Sequence, residues 1–333
     1  MQYRQLGKSN LRVSALCLGT MMFADQTALE DARSIVEDAR SNGVNFIDTA
    51  DNYGLGACET MVGQLLKGQR QDWVLATKLG NNMSRRVNEG HYSRTWMLRE
   101  VDASLQRLQT DHVDILYLHR DNNGMDLEEP LRALDALLAA GKIRYWGVSN
   151  FPAWRIAEIM RLAGQLGMPG PVVCQPYYNL LNRMPEVEIL PACDHYGIGA
   201  APYSPIARGV LTGKYQAGQP PAEGSRVARG DKRIAETEFR EESLHIAQQL
   251  KAHAQGKGIA LAQFATAWVL AHRAVSSVIV GPRTLAQWQD YRPALDYEVT
   301  DEDEALVNSL VAPGHPSTPG YSDPQYPLYP RRR

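Results

Sequence analysis

The sequence predicts an α/β fold, a single (β/α)8 TIM barrel with an N-terminal β-hairpin and a Pro-rich C-terminal tail. Three observations predict it. Short β-branched or apolar runs alternate with segments of helical period from one end of the chain to the other. Eight such units fill roughly 290 residues, close to the ~250 typical of this barrel. Gly54-Leu55-Gly56 follows a strand but lacks the third glycine of a G-x-G-x-x-G turn, which argues against a doubly wound dinucleotide-binding sheet.

Residues 2–13, with a Gly7-Lys8-Ser9-Asn10 turn between two short strand-like runs, predict the hairpin. Buried parallel strands are predicted at Ala15–Leu18, Asn45–Thr49, Trp73–Thr77, His112–Leu118, Ile143–Val148, Val172–Gln175, Gly199–Tyr203 and Ser277–Val280. Between them, Thr27-Ala28-Leu29-Glu30 reads as a capping-box start for a helix that runs to about Asn42 and stops at Gly43. Further helices are expected over Glu59–Lys67, Thr95–Leu108, Pro130–Ala140, Pro152–Leu166, Pro185–His195, Ala260–His272 and Leu285–Tyr291. Residues 206–240, rich in Gly, Pro, Arg and Glu, form a long connection of the kind that serves as a lid. The domain division is then residues 1–312 for the barrel and 313–333 for a Pro- and Tyr-rich tail, which cannot be regular helix or central strand.

Composition narrows the function. Of 333 residues, 44% are apolar and 22% charged, which is ordinary for a globular protein. A formal net charge of −2 leaves no electrostatic footprint for nucleic acid or an anionic membrane, and basic residues are interleaved with acidic ones except at Arg331–Arg333. No apolar run approaches the ~20 residues of a membrane span, and the start lacks a signal-peptide core. The 4 cysteines form no C-x-x-C pair, and with these features they point to a cytoplasmic, reducing setting. No H-x-H, H-E-x-x-H or G-x-S-x-G pattern occurs, so neither a metal site nor a hydrolase elbow is expected.

A barrel of this type carries its chemistry at the C-terminal ends of its strands. Reading those ends alone isolates Asp48 with Tyr53, Lys78, His119, Ser149 with Asn150, and Gln175. Taken singly, the Asp is a cap, the Lys a solvated end and the Tyr a packing residue. Together they make a proton relay: Tyr53 as donor, a Lys78 ammonium lowering the phenol's pKa, and Asp48 keeping the ammonium charged. His119 donates a hydrogen bond to a substrate oxygen and orients it.

These stretches resemble the aldo-keto reductases, in particular bacterial-type members related to potassium-channel β-subunit-like reductases. The resemblance covers about residues 1–312 and rests on Leu16–Phe23, on Asn45–Gly54 with its five-residue step from Asp48 to Tyr53, and on Ala76-Thr77-Lys78 and Leu118-His119. It also rests on Gly147–Asn150, Gln175–Asn179 and Ser204–Gly209, continuing as Leu211–Tyr215. It implies an oxidoreductase in which NADPH/NADP+, or less often NADH/NAD+, binds without a Rossmann fold, and in which Asp48, Tyr53, Lys78 and His119 are the catalytic four. Gly19, Thr20, Met21 and Asp48 would border the coenzyme; Ser149, Asn150 and Gln175 would hold the carboxamide, and Tyr203 would stack on the nicotinamide. Ser204, Pro205, Ile206, Ala207 and Gly209, with Lys214, would wrap the pyrophosphate. Gly281 and Arg283, ahead of a helix carrying Gln287 and Asp290, would take the 2′-phosphate, which favours NADPH. Tyr291 stands where relatives often carry Asn, so adenine would stack there.

The implied reaction is reduction of an aldehyde or ketone to the alcohol by hydride transfer from nicotinamide C4. Met22, Phe23 and Trp146, with Asp25 and the 81–94 connection, are the expected substrate contacts, suiting a small-molecule carbonyl with an aromatic or alkyl body. Two alternatives remain at this point. One is an NAD(P)-dependent dehydrogenase that oxidises an alcohol or sugar. The other is a coenzyme-binding regulatory subunit, against which stand the complete four-residue set and the absence of an extra N-terminal segment. Whether the chain is a monomer or homo-oligomer is left open by the sequence.

Overall fold

A computed structural model describes residues 1–122 and 124–326. Strands β1 (Tyr3–Gln5) and β2 (Arg12–Ser14) pair antiparallel, with Tyr3 opposite Ser14. The remaining strands are β3 (Leu16–Gly19), β4 (Phe46–Asp48), β5 (Val74–Leu79), β6 (Val113–Leu118), β7 (Ile143–Ser149), β8 (Val173–Gln175), β9 (Gly199–Ala200) and β10 (Val278–Val280). Among the described residues these eight form one parallel sheet in the order β10-β3-β4-β5-β6-β7-β8-β9. Its two edges come together: the Ile279 N–H donates to Pro202 O at 2.9 Å and the Ser276 N–H to Ala200 O at 2.8 Å. The curled parallel sheet with helices between its strands agrees with the (β/α)8 expectation.

Side-chain alternation divides each strand between two layers. Cys17, Phe46, Val74, Ala76, Ile115, Tyr117, Val173, Ala201 and Ile279 pack together on the inner face. Their immediate neighbours Leu16, Ile47, Leu75, Leu116, Cys174 and Val280 pack outward in the helix layer. The hairpin closes the bottom: Leu6 and Val13, both fully buried, join the inner cluster. Gly7 is required there. It has φ +58°, and a Cβ on it would lie 2.5 Å from Gly197 O and 2.8 Å from Val172 O.

Several elements differ from expectation, each for a local reason. Strand β9 stops at Ala200, short of the expected Tyr203, because Pro202 has no N–H to donate; single bridges at Tyr203 continue the line to Tyr177 and Ile279. The first helix starts at Leu29 with Ala28 as its cap. The Thr27 hydroxyl, expected to cap it, donates instead to Arg283 O at 3.1 Å. The segment expected as one helix from Pro185 is a 3-10 turn, Met184–Glu186, followed by the helix Ile189–Tyr196. The 206–240 connection holds a 3-10 turn, Ala207–Thr212, and a short helix, Lys232–Glu236, and two further helices, Glu241–Gly256 and Asp301–Leu310, were not foreseen. No described helix is long and apolar enough to cross a membrane.

Gly7→Ala adds a methyl group where three backbone atoms already stand, in a left-handed conformation. It is expected to cost about 2 kcal/mol or more, read as a lowered denaturant midpoint without a change in slope.

Candidate active site

The inner-face periodicity that seats Phe46 and Ala76 also turns Asp48 and Lys78 inward at the upper ends of β4 and β5. There the Lys78 ammonium donates to Asp48 Oδ2 at 2.5 Å, to Thr49 O at 2.9 Å and to Tyr53 Oη at 3.3 Å. Both members of the ion pair are buried, Lys78 at 0% and Asp48 at 3% exposure. The second carboxylate oxygen accepts from Gln175 Nε2 at 2.9 Å. Burial pushes the Asp48 carboxyl up, and the Lys78 and Gln175 hydrogen bonds oppose that. Burial works against the Lys78 ammonium too, but Asp48 and Tyr53 outweigh it, so Lys78 lies above its ordinary range and stays charged.

Tyr53 opens a 3-10 turn, Tyr53–Gly56, in which Gly54, Leu55 and Gly56 have φ of 57°, 51° and 93°. The turn folds the phenol back over the sheet, where it is half-buried, with Lys78 Nζ 4.9 Å from its ring centre. The expected lowering of the phenol's pKa is overturned for the coenzyme-free protein. Burial is the larger influence and raises Tyr53 to about 12, with Lys78 only partly offsetting it. The hydroxyl is therefore fully protonated at neutral pH, with the Lys78 ammonium beside it.

His119 meets the Tyr53 ring edge-on, centroids 6.0 Å apart. Burial first, then Lys78 and Arg120, hold its imidazole well below the usual range, so it is neutral. The Asn81 amide, in its assigned orientation, donates to His119 Nδ1 at 2.9 Å, which leaves Nε2 as the protonated nitrogen. Asn81 thus fixes the tautomer, a role no spacing in the sequence signalled. Asn150, at φ +58°, turns its side chain back beneath the site. Its Nδ2 donates to His119 O at 3.0 Å and Ser149 Oγ at 2.9 Å, and its Oδ1 accepts from Tyr203 Oη at 2.8 Å.

These groups form the floor of a cleft of about 440 Å³. Gly19, Thr20, Met21 and Met22 line it beside Asp48 and Tyr53; Ser149, Asn150, Gln175 and Tyr203 follow round the mouth. Ser204, Pro205, Ile206, Gly209 and Lys214 form one wall, and Gly281, Arg283, Gln287 and Asp290 the far end. Lys78 stands behind Tyr53, outside the lining. Ala207 is fully buried, with its side chain out of the cleft. Two expected substrate contacts are corrected. Trp146 lies one position out of step with the inner face: it packs in the helix layer, 1% exposed, its indole N–H on Pro169 O at 2.9 Å. Phe23, also 1% exposed, packs in that layer, while Met22 reaches the cleft.

At the far end, Lys214 is lowered by burial and then by Arg283, Arg226 and Arg229. Arg226 is lowered by burial, with Arg208, Arg283 and Arg229 adding to it and Asp231 opposing. A cluster of mutually repelling cations favours an anion between them. Arg208 lies within the Ser204–Gly209 loop expected at the pyrophosphate, whereas Arg226 has no mark in the sequence, because the 206–240 connection offers several arginines and no period to choose among them. The expected helix N-terminus contributes less than its side chains. That helix, Leu285–Tyr291, has 7 residues; Thr284 Oγ1 accepts from Gln287 N at 3.2 Å, and Gln287 Oε1 accepts from Arg283 N at 2.9 Å. The helix-end donors are thus partly used within the loop.

The described part of the tail completes the cleft. Arg233 grips Asp323 through two hydrogen bonds of 3.0 and 2.7 Å, and Arg240 lies 3.8 Å over the Tyr321 ring. Arg240 also donates to Thr318 Oγ1 at 2.7 Å. Gln325 and Tyr326 then line the cleft. The closing Arg331–Arg333 lies outside the described residues.

Residues 15–312 match the aldo/keto reductase family. The chain is 37% identical over 320 residues to a probable voltage-gated potassium channel subunit beta from Oryza sativa subsp. japonica, covering 93% of this chain and 97% of that one. It is 33% identical over 326 residues, 94% and 93% of the two chains, to the L-glyceraldehyde 3-phosphate reductase of Escherichia coli O157:H7. An uncharacterized oxidoreductase of Bacillus subtilis is 33% identical over 335 residues, 97% of this chain and 100% of the relative.

Two outcomes test this geometry. Lys78→Met removes the cation that favours phenolate, so the Tyr53 titration point, read with 13C-labelled tyrosine, should move above about 12 in the coenzyme-free protein. Asp323→Asn should free the tail from Arg233, seen as faster proteolysis after residue 312, with a stability loss near 1 kcal/mol for this largely buried pair.

Proposed function

We propose that this chain, which belongs to the aldo/keto reductase family, uses NADPH to reduce an aldehyde or ketone to the alcohol, with Tyr53 as the proton donor. Its family and its named oxidoreductase relatives make it an oxidoreductase. The observation that carries the finer reading is the Tyr53 hydroxyl, backed at 3.3 Å by the buried Lys78–Asp48 pair, on the floor of a cleft whose other end gathers Lys214, Arg226 and Arg283.

The residues fit the coenzyme. The cation cluster suits the pyrophosphate and 2′-phosphate, and Gly281 leaves open space where a side chain would intrude: a Cβ there would meet only Gly19 O, at 3.8 Å. Ser149, Asn150 and Gln175 offer the mixture of donors and acceptors that a carboxamide needs, and Tyr203 offers a ring face. When bound, reduced nicotinamide supplies a hydride to the carbonyl carbon.

The chain's own groups do the rest. His119 donates from Nε2 to the carbonyl oxygen and fixes its position. Tyr53 then gives its proton to the same oxygen as negative charge develops there. The phenolate left behind is stabilised by the Lys78 ammonium until solvent returns a proton, and Asp48 keeps that ammonium charged throughout. A neutral His119 matters here, because an imidazolium would compete with Tyr53 as the acid. The same groups run the reverse oxidation, so the direction follows the coenzyme ratio. A purely regulatory role, suggested by the potassium channel relatives, has no need of a proton donor held in this way.

Tyr53→Phe should lower carbonyl reduction by a factor of about 10² or more while NADPH still quenches the tryptophan fluorescence with unchanged affinity. Undiminished turnover would remove Tyr53 as the donor. Arg283→Ala should weaken NADPH about tenfold more than NADH; equal losses would place the 2′-phosphate elsewhere.

A further inference from the structure

The Tyr53 turn carries more strain than its visible contacts explain. Leu55 sits at φ 51° with 69% of its surface exposed, so no packing of its own side chain holds it there. A non-glycine residue in that region is strained and persists only where its surroundings impose it. On the cleft side the turn has one long hydrogen bond, 3.3 Å from Lys78 to Tyr53. The close packing of the turn lies on the opposite side.

Behind the turn, outside the residues that line the cleft, stands Arg107 in the last turn of the helix Arg94–Leu108. Its side chain runs along Gly56: a Cβ there would lie 2.6 Å from Arg107 Cδ and 2.9 Å from Nε. Beyond that contact the guanidinium donates from Nε to Glu59 Oε2 at 2.7 Å, and from Nη2 to Glu100 Oε1 at 2.5 Å and Ser104 Oγ at 3.0 Å. Glu59, fully buried, accepts on its other oxygen from the Thr77 hydroxyl at 2.5 Å, and Thr77 is the strand neighbour of Lys78. The third carboxyl in the cluster, buried Asp51, is pushed well up by burial and then by Glu59 and Glu100, and accepts from the Asn52 N–H at 2.6 Å. Arg107 is therefore the cation on which buried Glu59 and Glu100 depend, and its stem fills the space that only a glycine at position 56 leaves.

We propose that Arg107 is a positioning residue for Tyr53, clamping the turn Tyr53–Gly56 by packing on Gly56 and, through Glu59 and Thr77, locking that turn to the strand that carries Lys78. This rests on the reading of Tyr53 as the proton donor. The clamp sets how far the phenol stands from the ammonium, and a displacement of about 1 Å at a reacting group costs up to ~10² in rate.

The test measures three quantities on Arg107→Ala, Arg107→Lys and Glu59→Gln: turnover of a carbonyl substrate with NADPH, NADPH affinity by tryptophan quenching, and the Tyr53 titration point. The expected result for Arg107→Ala is a turnover at least about tenfold lower with NADPH affinity within about twofold, and a shifted Tyr53 titration. Arg107→Lys, which keeps the charge and much of the stem, should recover part of the turnover. Combined with Arg107→Ala, Glu59→Gln should lower turnover little further, because Glu59 acts through Arg107. Unchanged turnover and titration in Arg107→Ala, or parallel loss of turnover and coenzyme affinity in both Arg107 variants, would overturn the proposal. Should Arg107→Ala fail to fold, the lysine variant decides by the same three readings. Tyr53→Phe separates the two claims: if it keeps its turnover, the donor reading fails, and the Tyr53 titration in the Arg107 variants still shows whether the clamp exists.

Discussion

The buried Lys78–Asp48 ion pair is the interaction on which the rest of the site depends. Taking an ammonium and a carboxylate out of water costs several kcal/mol per ion, and the pair is tolerable only with near-ideal geometry and every remaining proton and lone pair engaged. Here the ammonium has three acceptors, Asp48, Thr49 O and Tyr53, and the second carboxylate oxygen has Gln175. These partners come from β4, the turn after it, β5 and β8. The chemistry is therefore inseparable from the curled sheet that brings four segments together. Breaking such a pair by removing one charge typically destabilises by about 3–5 kcal/mol, so the fold and the site share this contact.

The cleft divides by charge. Its floor holds neutral donors: a phenol kept protonated by burial and an imidazole kept neutral by burial and by two nearby cations. Its far end holds cations that repel one another, and which an anion would relieve. On the proposed function, one end would release a proton as charge develops and the other would hold the coenzyme's fixed negative charge. The 206–240 connection supplies cations to the second end, and the tail, through Arg233–Asp323, is tied to that connection. Connection and tail are thus tied to each other along the cleft.

Much of this was legible in the sequence because it follows from period and position. The strand runs at Trp73–Thr77 and His112–Leu118 read directly, and the residues that follow them, Lys78 and His119, had to stand at the mouth of a barrel. What failed to read was set by contacts between distant segments. Trp146 reads as a substrate contact, yet the alternation that turns Tyr145 and Gly147 inward turns it outward. Thr27 has every local mark of a helix cap, and Arg283, 256 residues away, takes its hydroxyl. Asn81, Arg226 and Arg107 matter through partners that no spacing reveals. The direction of the Tyr53 shift also eluded the sequence, because it depends on how completely the phenol is enclosed, and charge alone suggested the opposite.

On the proposed function, Asp48 makes Tyr53 a competent acid by keeping Lys78 charged. Steady-state reduction of a carbonyl compound by the Asp48→Asn protein, with NADPH affinity measured on the same sample, tests it most directly. The expected result is turnover lower by a factor of about 10² or more with NADPH still bound. Turnover within a few-fold of the unaltered protein, at the same NADPH affinity, would contradict it.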